Sequence, residues 1–435
     1  MNWREQYKDR LLSPAEAAAY IRSGDVICSS MGCGIPYLFL DALADRMKEL
    51  DHVTLHELTM SKQSKLFHPK YNGRFRTISG FFNAYERGYK NAGIDISFQP
   101  LHLHTFPDLQ AVSPKPTVVA VAGTPPDENG MISFGPNPIR ADMADRVDRF
   151  IVQINENLPY IKGDQGVIHV DKVDLLVDGT EDVFYQPAVP VTEVEEQIGS
   201  HIVDLVPDGA CIQLGIGSVG AAVGSMLRDK KDLGIHTEMF VEPMMDLIRC
   251  GAVNNSRKPI CPGISIFGFA GGSKELYDFL DHNDALESRP FDFVNNPRVV
   301  AQIPNFVSIN SALQVDLMGQ VCAETMGFLQ YSGTGGQVDF VRGANASPGG
   351  KSFIALSSSR IDKKGQRQSK ITLSLPVGSA VTTPRTDVHY IVTEYGAVNL
   401  RGASLEERAK GLISIAHPDF RDELSFQAKQ AGLIL

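Results

Sequence analysis

Cysteine is scarce in this chain: the 435 residues hold six, at positions 28, 33, 211, 250, 261 and 322, and none forms a CxxC pair. So few thiols in so long a sequence argue against a disulfide framework. With no HExxH present either, nothing completes a tetrahedral metal site, and His102 and His104 in LHLHTF read only as strand neighbours. The expectation is reduced, mostly buried thiols, a cytoplasmic setting and no metal. Positive charge is also short: 41 Lys and Arg against 51 Asp and Glu leave a net −10. Such a field repels nucleic acid and anionic membrane, so any anionic ligand must be gripped by local donors. No apolar run reaches the roughly 18 residues of a membrane span. The start, MNWREQYKDR, lacks the apolar core of a signal peptide. Glycine (39) and proline (25) are plentiful but scattered without period, which excludes collagen-like and low-complexity readings.

What is present reads as layered α/β structure. Hydrophobic residues make up 43% and charged ones 21%, ordinary globular values for a chain of two or three domains. Ser13-Pro14-Ala15-Glu16 is a capping box with proline at the first helical position. The helix it opens ends at Gly24, the buried strand VICSS follows, and MGCG then feeds a second helix before the strand VTLHELTM. TVVAVAG, RFIVQIN and VDLLVD are further β-branched runs between helical stretches, which predicts a mainly parallel sheet. Residues 185–197, YQPAVPVTEVEEQ, read as a linker between domains at 1–188 and 198–435. Beyond it the layout repeats: helix, glycine turn, strand, glycine turn, helix, then a strand with His and Glu. Gly24 answers Gly209, GCG at 32–34 answers GIG at 215–217, and His56-Glu57 falls near His236-Thr237-Glu238. We read this as a duplicated α/β unit, whose two copies would form a cleft fit for ligands.

Several stretches offer chemistry. Gly215, Gly217 and Gly220 satisfy GxGxxG between a strand and a helix, with Glu238 18 residues further on. That pattern allows a dinucleotide site. It also fits a bare turn whose amide N–H groups approach an anion or a developing oxyanion. GTGGQVDFVRGANASPGG at 333–350 reads as a glycine-dense, ligand-facing loop carrying Gln337, Asp339 and Arg342. RIDKKGQRQSK at 360–370 is dense in Lys and Arg with one acid, either a solvated hairpin or a partner for phosphates.

These stretches, in this order, resemble one family: the family I CoA-transferases of the 4-hydroxybutyrate CoA-transferase, butyryl-CoA:acetate CoA-transferase and acetyl-CoA hydrolase group. TPPDENGMISFG (124–135) and INENLPYIKGDQGVIHVDKVD (154–174) are similar to its first domain. GIGSVGAAV, HTEMF, LYDFLDHN, INSALQVDLMGQV, GTGGQVDFVRGA and TEYGAVNLRGASLEERAKGLISIAHPDFR are similar to its second. Two segments depart from the pattern: Glu242-Pro243 stands where the family shows Asp-Gly, and LHLHTFPDLQ replaces a Leu-Ser-Glu type of segment.

The resemblance implies two CoA-transferase-like α/β domains with an active site in the cleft between them. It implies a catalytic glutamate at Glu238, a CoA-binding turn at Gly215, Ile216, Gly217, Ser218 and Val219, a loop at Gly335-Gly336-Gln337, and a CoA-binding lysine at Lys363. Coenzyme A is then substrate, no cofactor is permanently bound, the partners are acyl-CoA and small carboxylates, and the assembly is a homodimer or dimer of dimers. A glutamate nucleophile must be ionised, so donors should lie beside it. Gly335 and Gly336 are expected to supply them, with Asn310 as a side-chain candidate and Glu57 as a first-domain echo of Glu238. The reading from residues leaves three alternatives open: a short acyl-CoA hydrolase, an NAD-dependent oxidoreductase, and a CoA-binding protein without turnover.

Overall fold

A computed structural model describes residues 3–108, 113–186 and 190–435. The chain divides into two compact units, residues 1–187 with 266–293, and residues 188–265 with 294–435. Among the described residues no helix is long and apolar enough to cross a membrane.

In the first unit the capping box forms as written. Ser13 accepts from the Glu16 amide, Glu16 accepts from Ser13 N at 2.8 Å, and Pro14 opens α1 (Pro14–Ala18). Seven strands of its main sheet are β1 (Val26–Cys28), β2 (Val53–Glu57), β3 (Phe75–Ser79), β4 (Ile96–Phe98), β5 (Val118–Gly123), β6 (Arg149–Ile154) and β7 (Leu175–Asp178), and the short strand Leu11–Leu12 pairs with β7 at the edge. They line up as β7-β6-β5-β1-β2-β3-β4, every neighbouring pair parallel. Strand β5, VVAVAG, is buried along its whole length, as a parallel strand covered on both faces must be. Helix α2 (Tyr37–Arg46) makes the crossover from β1 to β2 and buries Tyr37, Phe39, Leu40, Leu43 and Ala44.

The second unit opens with α3 (Glu193–Val203), so the expected linker is too long: Thr192 and Glu195 form a capping box inside it. Residues 187–189 of that segment lie outside the described residues. The strands are β8 (Cys211–Leu214), β9 (Gly234–Phe240), β10 (Phe306–Ser311), β11 (Lys351–Ala355), β12 (Tyr390–Thr393) and β13 (Gly396–Asn399). Their order is β12-β11-β10-β8-β9 with parallel neighbours, and β13 runs antiparallel on β12. Helix α4 (Ser218–Met226) crosses from β8 to β9, and α5 (Glu242–Arg249) leaves β9 with Pro243 in its first turn.

The duplication is present in the strand order, since β7-β6-β5-β1-β2 in one unit matches β12-β11-β10-β8-β9 in the other. It extends to single bonds. Gly24 N donates to Asp51 O at 2.9 Å, Gly209 N to Lys231 O at 2.8 Å, and both glycines sit at positive φ (85° and 74°). Ile27 lies opposite Leu55, and Ile212 opposite Ile235. On that register His56 matches His236, Glu57 matches Thr237, and Leu58 is the counterpart of Glu238. The echo expected at Glu57 is thus one residue out of step, and alternation along a strand sends its side chain to the opposite face.

One stretch folds against expectation. The region read as a long loop at 333–350 contains α6 (Gln337–Ala346), which buries Val338, Phe340, Val341 and Ala344. Gly343 inside it is a packing residue, since a Cβ there would lie 2.5 Å from Val300 Cγ1. The basic segment is a hairpin, Ser359–Ile361 pairing antiparallel with Arg367–Ser369.

Candidate active site

Four features of the second unit emerge at the carboxyl edge of one parallel sheet: Glu238 on β9, the Gly215 turn after β8, Asn310 on β10 and the serines after β11. In open α/β sheets this edge binds ligands, most often where the strand order reverses. Here it reverses at β8, whose successor β9 lies on one side and the later β10 on the other.

Glu238 comes near the end of β9 and is half-buried between buried neighbours Thr237 and Met239. Asn295 Nδ2 donates to Glu238 Oε2 at 2.7 Å, and the Gly336 amide also bonds the carboxylate. Gly336 is the residue before α6, so its N–H belongs to the helix's unpaired first turn. The approach admits no side chain: a Cβ on Gly336 would stand 1.9 Å from Glu238 Oε2 and 2.2 Å from Asn295 Nδ2. Burial pushes the Glu238 carboxyl up to about 7, the charge of buried Asp339 adds to the rise, and the two donors oppose it. The result is a carboxylate that is both available near neutral pH and weakly solvated.

Asn295 is fully buried, and its Oδ1 has no hydrogen-bond partner among the described residues. Sequence reasoning missed it, because it lies 57 positions from Glu238 and is marked only by the turn signal Asn-Pro that follows. Asn295→Ala is expected to lower kcat about a hundredfold near neutral pH, the usual effect of removing one such donor. Without that donor the Glu238 carboxyl rises further, so the ionised fraction and the rate recover partly as pH increases. A pH–rate profile checks this; an equal loss at every pH would mean that Asn295 does not hold the charge.

The glycine turn is built for close approach. A Cβ on Gly220 would meet Gly215 O at 2.2 Å, and Gly217 has φ 117°. Gly215 N donates to Ile309 O at 2.7 Å, locking the turn to β10. Ile216 is exposed, Val219 is buried in α4, and Ser218 reaches Glu195. Asn310, by contrast, is spent within the sheet: its Nδ2 donates to Ser308 Oγ at 2.8 Å and Gln213 Oε1 at 3.2 Å. Gln337 ties α6 down, donating to Ser311 O at 2.8 Å and accepting from Thr383 at 3.1 Å. Gly335 takes φ 56°, which aims the chain into Gly336. The structure therefore joins Glu238 to Gly336, and Gly215 to β10. Lys363 is exposed in the hairpin turn and joins neither group. Glu57, in the first unit, is fully buried, with the Ser79 hydroxyl beside its carboxyl. Burial and the neighbouring Glu86 charge hold its carboxyl well above the usual range.

Comparison with known proteins places this architecture. The family model for the acetyl-CoA hydrolase/transferase N-terminal domain matches residues 1–190, and that for the C-terminal domain matches residues 272–428. The chain is 39% identical to succinyl-CoA:cyclohexane-1-carboxylate CoA transferase of Geobacter metallireducens, over 100% of this chain and 98% of that one. It is also 39% identical to butyryl-CoA:acetate CoA-transferase of Anaerostipes caccae, over 100% and 99%. The crystal structure of RipA from Yersinia pestis superposes with a TM-score of 0.91 at 38% identity, covering 100% of both chains. On the strength of both domain matches and full-length identity, the chain belongs to the acetyl-CoA hydrolase/transferase family.

Proposed function

We propose that this protein is an acyl-CoA:carboxylate CoA-transferase, moving coenzyme A between short-chain carboxylic acids of the acetate, butyrate and 4-hydroxybutyrate type. The observation that carries the reading is the Glu238 carboxylate, held by Asn295 and the Gly336 N–H at the sheet edge. Full-length similarity to two proteins named as CoA-transferases supports it.

A carboxylate is a modest nucleophile, but exchange between acids of similar energy needs no stronger one. Ionised Glu238 attacks the acyl-CoA carbonyl, the C–S bond breaks, and an acyl-glutamyl anhydride forms with CoA thiolate as leaving group. The thiolate then attacks the glutamyl carbonyl, releasing the first acid as its carboxylate and leaving a Glu238–CoA thioester. A second carboxylate reverses both steps, which gives ping-pong kinetics. Each tetrahedral intermediate carries its oxyanion on a carbon bonded to Glu238 or derived from it. The Gly336 N–H and the Asn295 amide are the donors beside that group.

Two measurements test the reading. Treatment with acyl-CoA followed by borohydride is expected to reduce the glutamyl thioester to the primary alcohol, detectable by mass in the peptide containing Glu238. Native protein given acyl-CoA and a second carboxylate is expected to form the second thioester. Consumption of acyl-CoA at the same rate without an acceptor would show a hydrolase on this scaffold instead.

A further inference from the structure

A cavity of about 410 Å³ opens at the amino edge of the first unit's sheet, with Thr54, Arg74, Arg76, Asp95 and Pro114 among its lining residues. Open α/β sheets bind their substrates at the other, carboxyl edge, so this hollow belongs to none of the sites described above. The strand register shows how it forms. Val26 on β1 stands opposite Thr54 on β2, and Thr54 opposite Arg76 on β3. Thr77 pairs with Ile96 and donates its N–H to Asp95 O at 2.9 Å, so one step back Arg76 stands opposite Asp95. Residues directly opposite in a sheet share a face, which sets an arginine beside an aspartate on strands roughly 4.8 Å apart. Pro114 reaches the same face, where its carbonyl accepts from Nε2 of His56 at 3.0 Å, two residues beyond Thr54.

Neither of these two charges is spent on the protein. Arg76 gives Nε to Thr54 Oγ1 at 3.3 Å, and its terminal amino groups have no partner among the described residues. Asp95 receives a bond only through its backbone, its N–H donating to Asn72 Oδ1 at 3.0 Å, and its carboxylate is likewise without a partner among the described residues. The other charged groups at this edge are accounted for. Arg74 pairs with Asp51 at 3.1 Å and donates to Lys48 O at 3.0 Å. Asp25 accepts from Arg22 N at 2.7 Å and from Thr117 Oγ1 at 3.0 Å. His56 stays neutral, since burial, and then the Arg76 charge, bring it down to about 4. His52 is exposed at the rim. One unmatched cation and one unmatched anion therefore face the same hollow without pairing to each other.

The geometry points to a binding site for a small zwitterion of the α-amino-acid class, its carboxylate on the Arg76 fork and its ammonium on Asp95. An arginine presents a planar pair of donors to a carboxylate, and an ionised aspartate accepts from an ammonium. An α-amino acid bears both charges on one carbon, which matches two side chains that rise from adjacent strands. A dianion such as phosphate sets its second charge against Asp95, and a plain carboxylic acid leaves Asp95 unmatched. The volume lies in the range usual for small-molecule pockets, so the ligand's own side chain has room.

The test takes the full-length protein and measures melting temperature and calorimetric binding with each common amino acid singly. Propionate, ethylamine and inorganic phosphate serve as the partial probes. At least one amino acid is expected to bind and to raise the melting temperature as its concentration grows. Propionate and ethylamine, which each carry one of the two charges, are expected to bind more weakly by about tenfold or more. Arg76→Ala and Asp95→Asn alter exposed side chains, of which only the first holds a bond, to Thr54, so both keep the fold. Each is expected to weaken the amino acid by about tenfold or more, with melting of the free protein near native. Glu238→Gln is expected to bind it as the native chain does, which keeps this site apart from the nucleophile. Phosphate or propionate binding as tightly as the best amino acid would overturn the zwitterion in favour of a plain anion site. Affinity untouched in both edge variants would overturn the placement, and failure of every amino acid to bind would overturn the proposal. None of these outcomes depends on CoA exchange.

Discussion

Glu238→Gln is expected to abolish CoA exchange, by about 10⁴-fold or more, the scale seen when a covalent nucleophile is removed. It should also leave no borohydride-sensitive thioester, with mass spectrometry of the Glu238 peptide and a steady-state assay as the two readouts. The same change makes a second, opposite prediction for stability. The native carboxyl is raised from its ordinary value to about 7 by burial. Its neutral form therefore fits the fold, and the stability this provides is complete below the unfolded value and lost as pH climbs through about 7. At pH 8 the native protein carries a poorly solvated charge that glutamine does not. Glu238→Gln is thus expected to be the more stable protein there, by on the order of 2 kcal/mol, with the difference fading towards pH 4. Thermal melts at the two pH values measure it; a variant less stable at pH 8 would refute the account of a strained, charged nucleophile. On the proposed mechanism, the reactivity of Glu238 costs stability, a trade common at active sites.

Gly336→Ala is expected to cost about 10²–10³ in kcat/KM, comparable to losing an oxyanion donor. The reasoning is steric. The added methyl would fall 1.9 Å from Glu238 Oε2 and 2.2 Å from Asn295 Nδ2, so the carboxylate, the amide or the helix start must move. The backbone there (φ −95°, ψ 7°) is open to any residue, so the fold itself has no reason to fail. Circular dichroism and melting near native values, together with the activity loss, are the expected pair of results. Near-native activity would show that Gly336 does not pack on the nucleophile.

The alternating strands and helices were legible because their signals are local. The capping box at Ser13, β-branched runs such as VVAVAG and glycines at positive φ each depend on residues a few positions apart. The duplication was legible too, because Gly24 and Gly209 occupy equivalent turns. Helix α6 was obscured by its own glycines. Gly335, Gly336 and Gly343 signal a loop by composition, yet the first two set the helix start against Glu238 and the third seats Val300. Asn295 was beyond reach, because nothing in VNNP announces that the chain returns to Glu238. Lys363 was expected from the resemblance alone, and the structure leaves it exposed in the hairpin turn.

The offset of one residue between Glu57 and Glu238 sets apart two frameworks that otherwise match. With matching strand order and matching turn bonds, the two copies differ in which side of a strand receives the acid. A shift of a single position along β2 leaves Glu57 sealed in the interior, while β9 sets its acid against an asparagine and a bare amide.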